Sequence, residues 1–192
     1  EAAEQLGWRA PDHCIVPGAS GELHTKIWKG LQEMGHAELI DSPKTRMHLA
    51  QAQGCSPIVQ AFEQGNSHVK PVKPDTIAKS LAIGNPAAGH YALQVLAETG
   101  GTADAVPEES VTEGITLLAE MEGIFTEPAG GVVISSLKRL AEKGVIGPDE
   151  VTVAFVTGNG LKTQEVMEHA VDTVRSGPDY ESFQTAIAGR EI

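Results

Sequence analysis

Val151-Thr-Val-Ala-Phe-Val-Thr157-Gly-Asn-Gly-Leu-Lys162 decides the fold. Apolar residues fill its first half almost without alternation, as a strand covered on both faces requires. Thr157, Gly158, Asn159 and Gly160 then stop it in a polar, glycine-hinged tip. In an open α/β sheet, small molecules bind beyond the carboxyl ends of the strands, so Thr157 is expected to present its hydroxyl to a ligand.

Outward from this stretch, strand and helix signals alternate. His13-Cys14-Ile15-Val16 reads as a short buried strand. Pro17-Gly18-Ala19-Ser20-Gly21 turns it into a helix with Leu23, Ile27, Leu31 and Met34 at helical spacing, ending at Gly35. Arg46–Gln51 reads as the next strand, and Pro57, with Ser56 as its cap, opens a helix over Ile58–Phe62. The polar stretch from Gly65 to Asp75, with Pro71 and Pro74, reads as a flexible surface loop. Helices are predicted from Pro86 to Gly100, from Pro107 to Gly123 and from Pro128 to Gly144, the last with Lys138, Arg139 and Lys143 near its negative end. An amphipathic helix over Thr163–Val174 and a helical tail over Tyr180–Ile187 complete the reading. Such alternation predicts an α/β fold with a mostly parallel sheet flanked by helices, and 192 residues suit a single domain.

A formal net charge of -12 argues against polyanion partners, because cations must outnumber local acids along a nucleic-acid backbone. Cys14 and Cys55, in apolar surroundings and without metal-ligand spacing, fit a reducing cytoplasm. No apolar run approaches the roughly 20 residues that span a bilayer, so a soluble protein is expected. Glu1–Leu6 reads as the last turns of a helix closed by Gly7, which leads us to expect an upstream segment.

The loop after the first strand sets consecutive backbone N–H groups at a helix start, where unsatisfied donors and the helix dipole together make an anion site. A dinucleotide site is the rival reading, because Asp41 follows the apolar stretch Ala37–Ile40 near where a ribose-binding acid would fall. Against it, Gly18-Ala-Ser-Gly21 lacks the three-glycine spacing. The seven histidines, His13, His24, His36, His48, His68, His90 and His169, show no metal or triad spacing; His24 and His90 are expected to lie nearest the pocket. Ser20, Ser80 and Ser135 lack the elbow of a serine hydrolase.

Four motifs together carry a resemblance. Val16-Pro-Gly-Ala-Ser-Gly-Glu-Leu-His-Thr-Lys-Ile-Trp-Lys-Gly30, Ala82-Ile-Gly-Asn-Pro86, Glu122-Gly-Ile-Phe-Thr-Glu-Pro-Ala-Gly-Gly131 and Thr157-Gly-Asn-Gly-Leu-Lys162 occur in an order that resembles the threonine synthases. These are pyridoxal-phosphate enzymes with the large domain of the tryptophan-synthase-β-like fold, fold type II. The resemblance implies that Gly18, Ala19, Ser20, Gly21, Glu22 and Leu23 contact the cofactor phosphate, that Gly84 and Asn85 pass close to its ring, and that Thr157 faces the pyridine nitrogen. A neutral hydroxyl at that position implies a largely unprotonated nitrogen. Asn85-Pro86 has an equally good reading as a helix cap followed by a first-turn proline.

The family carries its Schiff-base lysine in a Ser-Phe-Lys-Asp type motif, and none of Lys26, Lys29, Lys44, Lys70, Lys73, Lys79, Lys138, Lys143 or Lys162 lies in one. The resemblance therefore implies the C-terminal, large-domain portion of a longer lyase. The complete enzyme would convert O-phosphohomoserine and water to threonine and phosphate. This portion would itself be inactive, with weak or no cofactor binding and no catalytic residue of its own. Its expected partners are the missing N-terminal half and, through exposed apolar surface, a second copy in a homodimer. Ala19 and Glu22 depart from the family's glycines, and a carboxylate at position 22 would repel a phosphate unless it pointed away; Lys26 could offset it. Two other readings stand beside this one: a nucleotide-binding α/β domain built on Gly18 and Asp41, and a noncatalytic interaction domain with a degenerate phosphate loop.

Overall fold

The computed structural model describes residues 1–170 and 174–188. Its centre is a four-stranded, wholly parallel sheet built from β1 (His13–Pro17), β2 (Arg46–Ala52), β3 (Ala103–Val106) and β4 (Thr152–Ala154), in the order β3-β2-β1-β4. Alternate side chains of the strands feed opposite faces. Cys14, Val16 and Met47 pack with Trp28 and Leu31 of α2 (Glu22–His36) and Val95 of α4 (Gly89–Thr99). Leu49 extends this face onto Ile58 and Val59 of α3 (Pro57–Glu63). Ile15, Ala50 and Ala52 instead meet Val132, Val133 and Leu140 of α6 (Pro128–Glu142). Outside α6 lies α5 (Glu108–Glu122). These two helices cross at glycines: a Cβ on Gly114 would sit 2.3 Å from the Gly131 carbonyl, and one on Gly131 would sit 2.3 Å from that of Val111.

Several expectations shift at this level. β3 carries no local signal, because Ala103-Asp-Ala-Val106 is four residues long with little β propensity; pairing with β2 makes it a strand. β4 is a half-buried edge strand rather than a buried one, since only β1 pairs with it. α4 starts at Gly89, and Asn85 does not cap it. The helix expected over Thr163–Val174 is, up to residue 170, a 3-10 turn at Gln164–Met167 followed by turns; residues 171–173 of that expectation lie outside the described residues. The tail helix α7 (Tyr180–Ile187) forms as expected, and a short α1 spans Ala2–Gln5. Both cysteines are buried free thiols, and burial pushes Cys14 up to about 12.

Ser56 does not cap α3. Its hydroxyl turns back to the Gln53 carbonyl, and the cap comes from β2: Gln51 Oε1 accepts from the amides of Ile58 (3.0 Å) and Val59 (3.1 Å). Gln51 Nε2 donates to the Gly18 carbonyl at 3.0 Å, so one buried carboxamide fixes both the start of α3 and the loop that follows β1. Gln51→Leu would leave a carbonyl and two amides without partners in a dry interior. We expect it to lower the free energy of unfolding by about 2–4 kcal/mol, read as a lower urea midpoint at unchanged slope.

At the amino ends of the strands a buried imidazole chain crosses the sheet. The Thr102 amide donates to His48 Nδ1 at 3.1 Å, which leaves Nε2–H of the neutral ring to donate to His13 Nδ1 at 2.9 Å. His13 Nε2 then faces the Glu150 carboxylate at 3.0 Å. Burial, then His13, Arg46 and His24, push His48 down to about 4. Burial also pushes His24 down to about 4, opposed by a hydrogen bond to the Met47 carbonyl. The Gly147 amide, then His13, hold Glu150 below the usual carboxylate range. Unfolded imidazoles take up protons near pH 6.5 while these two folded ones refuse them until about pH 4, so stability falls with pH through that window. The expected loss approaches roughly 2–3 kcal/mol per pH unit once both unfolded rings are protonated, measurable as urea midpoints between pH 7 and pH 4.5.

Candidate functional site

The chain runs β1 to β2 to β3 in one direction along the sheet, then crosses back to place β4 on the other side of β1. This is a topological switch point, where the loops leaving two adjacent parallel strands diverge and open a crevice. A cavity of about 220 Å³ lies there, lined by Ala19, Ser20, Gly21 and Leu23 from the loop after β1 and by Thr157 beyond β4. The two stretches singled out by sequence thus meet.

Glycine shapes the first loop. A Cβ at Gly18 would sit 2.6 Å from Leu49 Cδ2, while its amide donates to the Ala50 carbonyl at 2.7 Å. Gly21, at φ +87, is in the left-handed region, and its missing side chain admits the Ala88 carbonyl. The Ala88 amide donates to the Ser20 carbonyl at 2.9 Å, tying the loop to the start of α4. Among the described residues, the amides of Ala19, Ser20, Gly21 and Leu23 donate to no protein acceptor. Free donors at the amino end of a 15-residue helix are the arrangement that holds an anion. Glu22 does not spoil it: its side chain is exposed and lines the neighbouring groove between α2 and α4, together with Lys26, rather than the cavity.

Opposite the loop, the segment after β4 is clamped to the turn before α6. The Thr126 hydroxyl donates to the Gly158 carbonyl at 3.0 Å and the Glu127 amide donates to the same carbonyl at 3.1 Å. A Cβ on Gly158 would fall 2.2 Å from Glu127 Oε1, so only glycine lets this carboxylate lie on the main chain. Glu127 Oε1 accepts the Thr157 hydroxyl at 3.3 Å, and both residues line the cavity. Ser80 and Leu81, from the 3-10 turn Lys79–Leu81, and Ala129 complete its wall. Sequence reasoning gave none of these four a role. Glu127 and Ala129 both lie within a motif that carries the resemblance; Ser80 and Leu81 reach the site through an aperiodic loop that gives no signal.

Other expected residues lie elsewhere. Gly84 and Asn85 do not line the cavity. Gly84 is close-packed for another reason, since a Cβ there would sit 1.9 Å from the Val72 carbonyl. Asp41 follows the far end of α2, roughly 22 Å of helix away from Gly21. His24 is buried against Met47, and His90 hydrogen-bonds the Ser67 carbonyl on the surface; neither reaches the cavity. Ser135 donates to the Ser110 carbonyl. A larger hollow of about 850 Å³, walled by α5, α6 and residues 166–170, receives no strand end. Among the described residues, no lysine or arginine lines the switch-point cavity. Among the described residues no cluster suited to a metal ion occurs, and no helix is long and apolar enough to cross a membrane.

Backbone amides for a phosphate on one wall and a hydroxyl for a ring nitrogen on the other fit a phosphorylated heteroaromatic group. Comparison with known proteins agrees. The chain is 43% identical over 164 residues to threonine synthase of Methanocaldococcus jannaschii, covering 84% of this chain and 40% of that protein. It is 35% identical over 193 residues to threonine synthase of Methanosarcina acetivorans, covering 99% of this chain and 47% of that protein. It therefore spans somewhat less than half the length of these relatives. The processed form of threonine deaminase isoform 2 from Solanum lycopersicum superposes with a TM-score of 0.67 at 18% identity, over 88% of this chain and 45% of that one, which establishes the shared fold. Residues 1–158 match the family described as pyridoxal-phosphate dependent enzyme, and the chain belongs to that family.

Proposed function

We propose that the switch-point cavity holds pyridoxal phosphate, with the phosphate on the amides from Ala19 to Leu23 and the pyridine nitrogen against Thr157. The observation that carries this reading is that free amides and the Thr157 hydroxyl face one cavity. Gly18 and Gln51 hold the loop in shape without contacting the ligand. Gly84 and Asn85 fall outside the proposed contact set because a different wall takes their place. When bound, the cofactor supplies an electron sink for negative charge developing on an amino-acid substrate. This chain's residues bind and orient it. No lysine reaches the cavity, so the amine that would hold the cofactor covalently and move protons belongs to a complementary half of a longer protein.

The similarity to threonine synthases extends the proposal to the complete protein: a lyase converting O-phosphohomoserine and water to threonine and phosphate. Leu23, exposed on the cavity wall, and Val156, beside Thr157, supply apolar surface for the complementary half or for a second copy of the chain. Two buried free thiols suit a reducing cytoplasm.

Thermal denaturation with added ligands tests the cofactor site. Pyridoxal phosphate at about ten times its dissociation constant should stabilise the chain by about 1.4 kcal/mol. NAD should do nothing, and Ala19→Asp, which puts a carboxylate into the cavity, should abolish the effect. Stabilisation by NAD alone would favour the nucleotide-binding reading, and silence to both would favour a noncatalytic domain.

A further inference from the structure

An acid in the first turn of a helix is ordinarily explained by the helix dipole, and Glu109 of α5 needs nothing more. Glu108, beside it, does something further. Its carboxylate turns back from α5 and accepts three hydrogen bonds. Oε1 takes the Gly54 amide at 3.0 Å, while Oε2 takes the Thr76 hydroxyl at 2.9 Å and the Ile77 amide at 3.0 Å. The two segments so joined also touch directly. The Asp75 amide donates to the Gly54 carbonyl at 2.9 Å, and a Cβ on Gly54 would fall 1.7 Å from the Asp75 carbonyl oxygen. From Thr76 the order runs on into the cavity wall. The Ala78 amide donates to the Thr76 hydroxyl at 3.1 Å, the Leu81 amide donates to the Ala78 carbonyl at 2.9 Å, and Ser80 and Leu81 line the switch-point cavity. Residues 64–88 contain one 3-10 turn and neither strand nor α-helix, so no ladder fixes this wall. A stretch this long without regular structure is uncommon in a compact fold and is usually functional.

We propose that Glu108 is a positioning residue for the switch-point cavity, holding Ser80 and Leu81 in its wall. The inference rests on the cofactor site proposed above and adds what keeps that site in shape. Gln51 on β2 fixes the loop after β1 through the Gly18 carbonyl, and Glu108 ties the 76–81 segment to Gly54, in the turn that follows β2. Both walls are thereby referred to the same strand. Glu108 does not line the cavity itself, so it acts through the wall that it holds. Removing the clamp lets that wall leave its seated position. A site that is competent for only a fraction of the time binds with its affinity reduced by that fraction.

The test uses the 192-residue chain with pyridoxine 5′-phosphate, which has the ring and the phosphate but no aldehyde to react with surface lysines. Calorimetry gives the dissociation constant at a temperature where every variant is folded. Hydrogen exchange follows the Leu81 and Ala82 amides, which close the turn in the wall onto the Ala78 and Lys79 carbonyls. Glu108→Gln keeps the shape of the side chain but turns an NH₂ group toward donors. With the wall seated about a tenth of the time, the dissociation constant should rise about tenfold. The two amides should exchange faster, and the ligand should slow them again. Thr76→Val should act in the same direction and combine with Glu108→Gln less than additively, as members of one network do. Should Glu108→Gln not fold, Thr76→Val carries the same test. Glu109→Gln, one residue on, should change neither readout. A purely structural role would lower the thermal midpoint of Glu108→Gln and leave the dissociation constant unmoved. That result, with wild-type binding intact, would overturn the positioning role and leave the cofactor site standing. Failure of the wild-type chain to bind the ligand at all would overturn both.

Discussion

The carboxamide of Gln51 is the contact on which the site depends. It is buried on β2, and its two ends do different work: the oxygen closes the amino end of α3, while the nitrogen holds the Gly18 carbonyl. Amides elsewhere in a folded chain are consumed by helix, strand or turn, because an unpaired one in a dry interior is costly. At Ala19, Ser20, Gly21 and Leu23 they are left over, and they remain so because the loop cannot relax into a tighter turn. Gln51 holds one end of it and the Ala88 amide holds Ser20. The site is a set of backbone donors kept apart from their natural partners by neighbouring contacts.

Strand order turns that loop into half of a pocket. β1 lies between β2 and β4, so the connection leaving β1 and the segment leaving β4 part in different directions and open a gap. Close backbone approaches keep the gap's walls in place. Gly18 admits Leu49, Gly21 admits the Ala88 carbonyl, and Gly158 admits the Glu127 carboxylate. Each wall depends on an absent side chain, which is why charged and polar groups gather there without crowding the cavity.

The opposite end of the sheet has a different character. His13, His48, Thr102 and Glu150 join all four strand segments through one polar chain whose tautomers are set by the Thr102 amide. His13, His48 and Glu150 pair with one another and line neither the switch-point cavity nor the larger hollow.

Much of this was legible in the chain itself. Helix ends at Gly123 and Gly144 and first-turn prolines at Pro57 and Pro128 are local signals, because capping and backbone freedom act over a few residues. The same locality explains the errors. Ala103–Val106 becomes a strand only by pairing with β2, and the cap of α3 comes from a different element than the one preceding it in sequence. The sequence by itself determined the alternating α/β order, the glycine-hinged loop after β1 and the polar tip with Thr157 beyond the last strand. Only the tertiary structure decided that these two tips share one cavity, that Glu22 turns out of it and that Glu127 stands behind Thr157, because strand order and the partner of a side chain are properties of residues far apart in the chain.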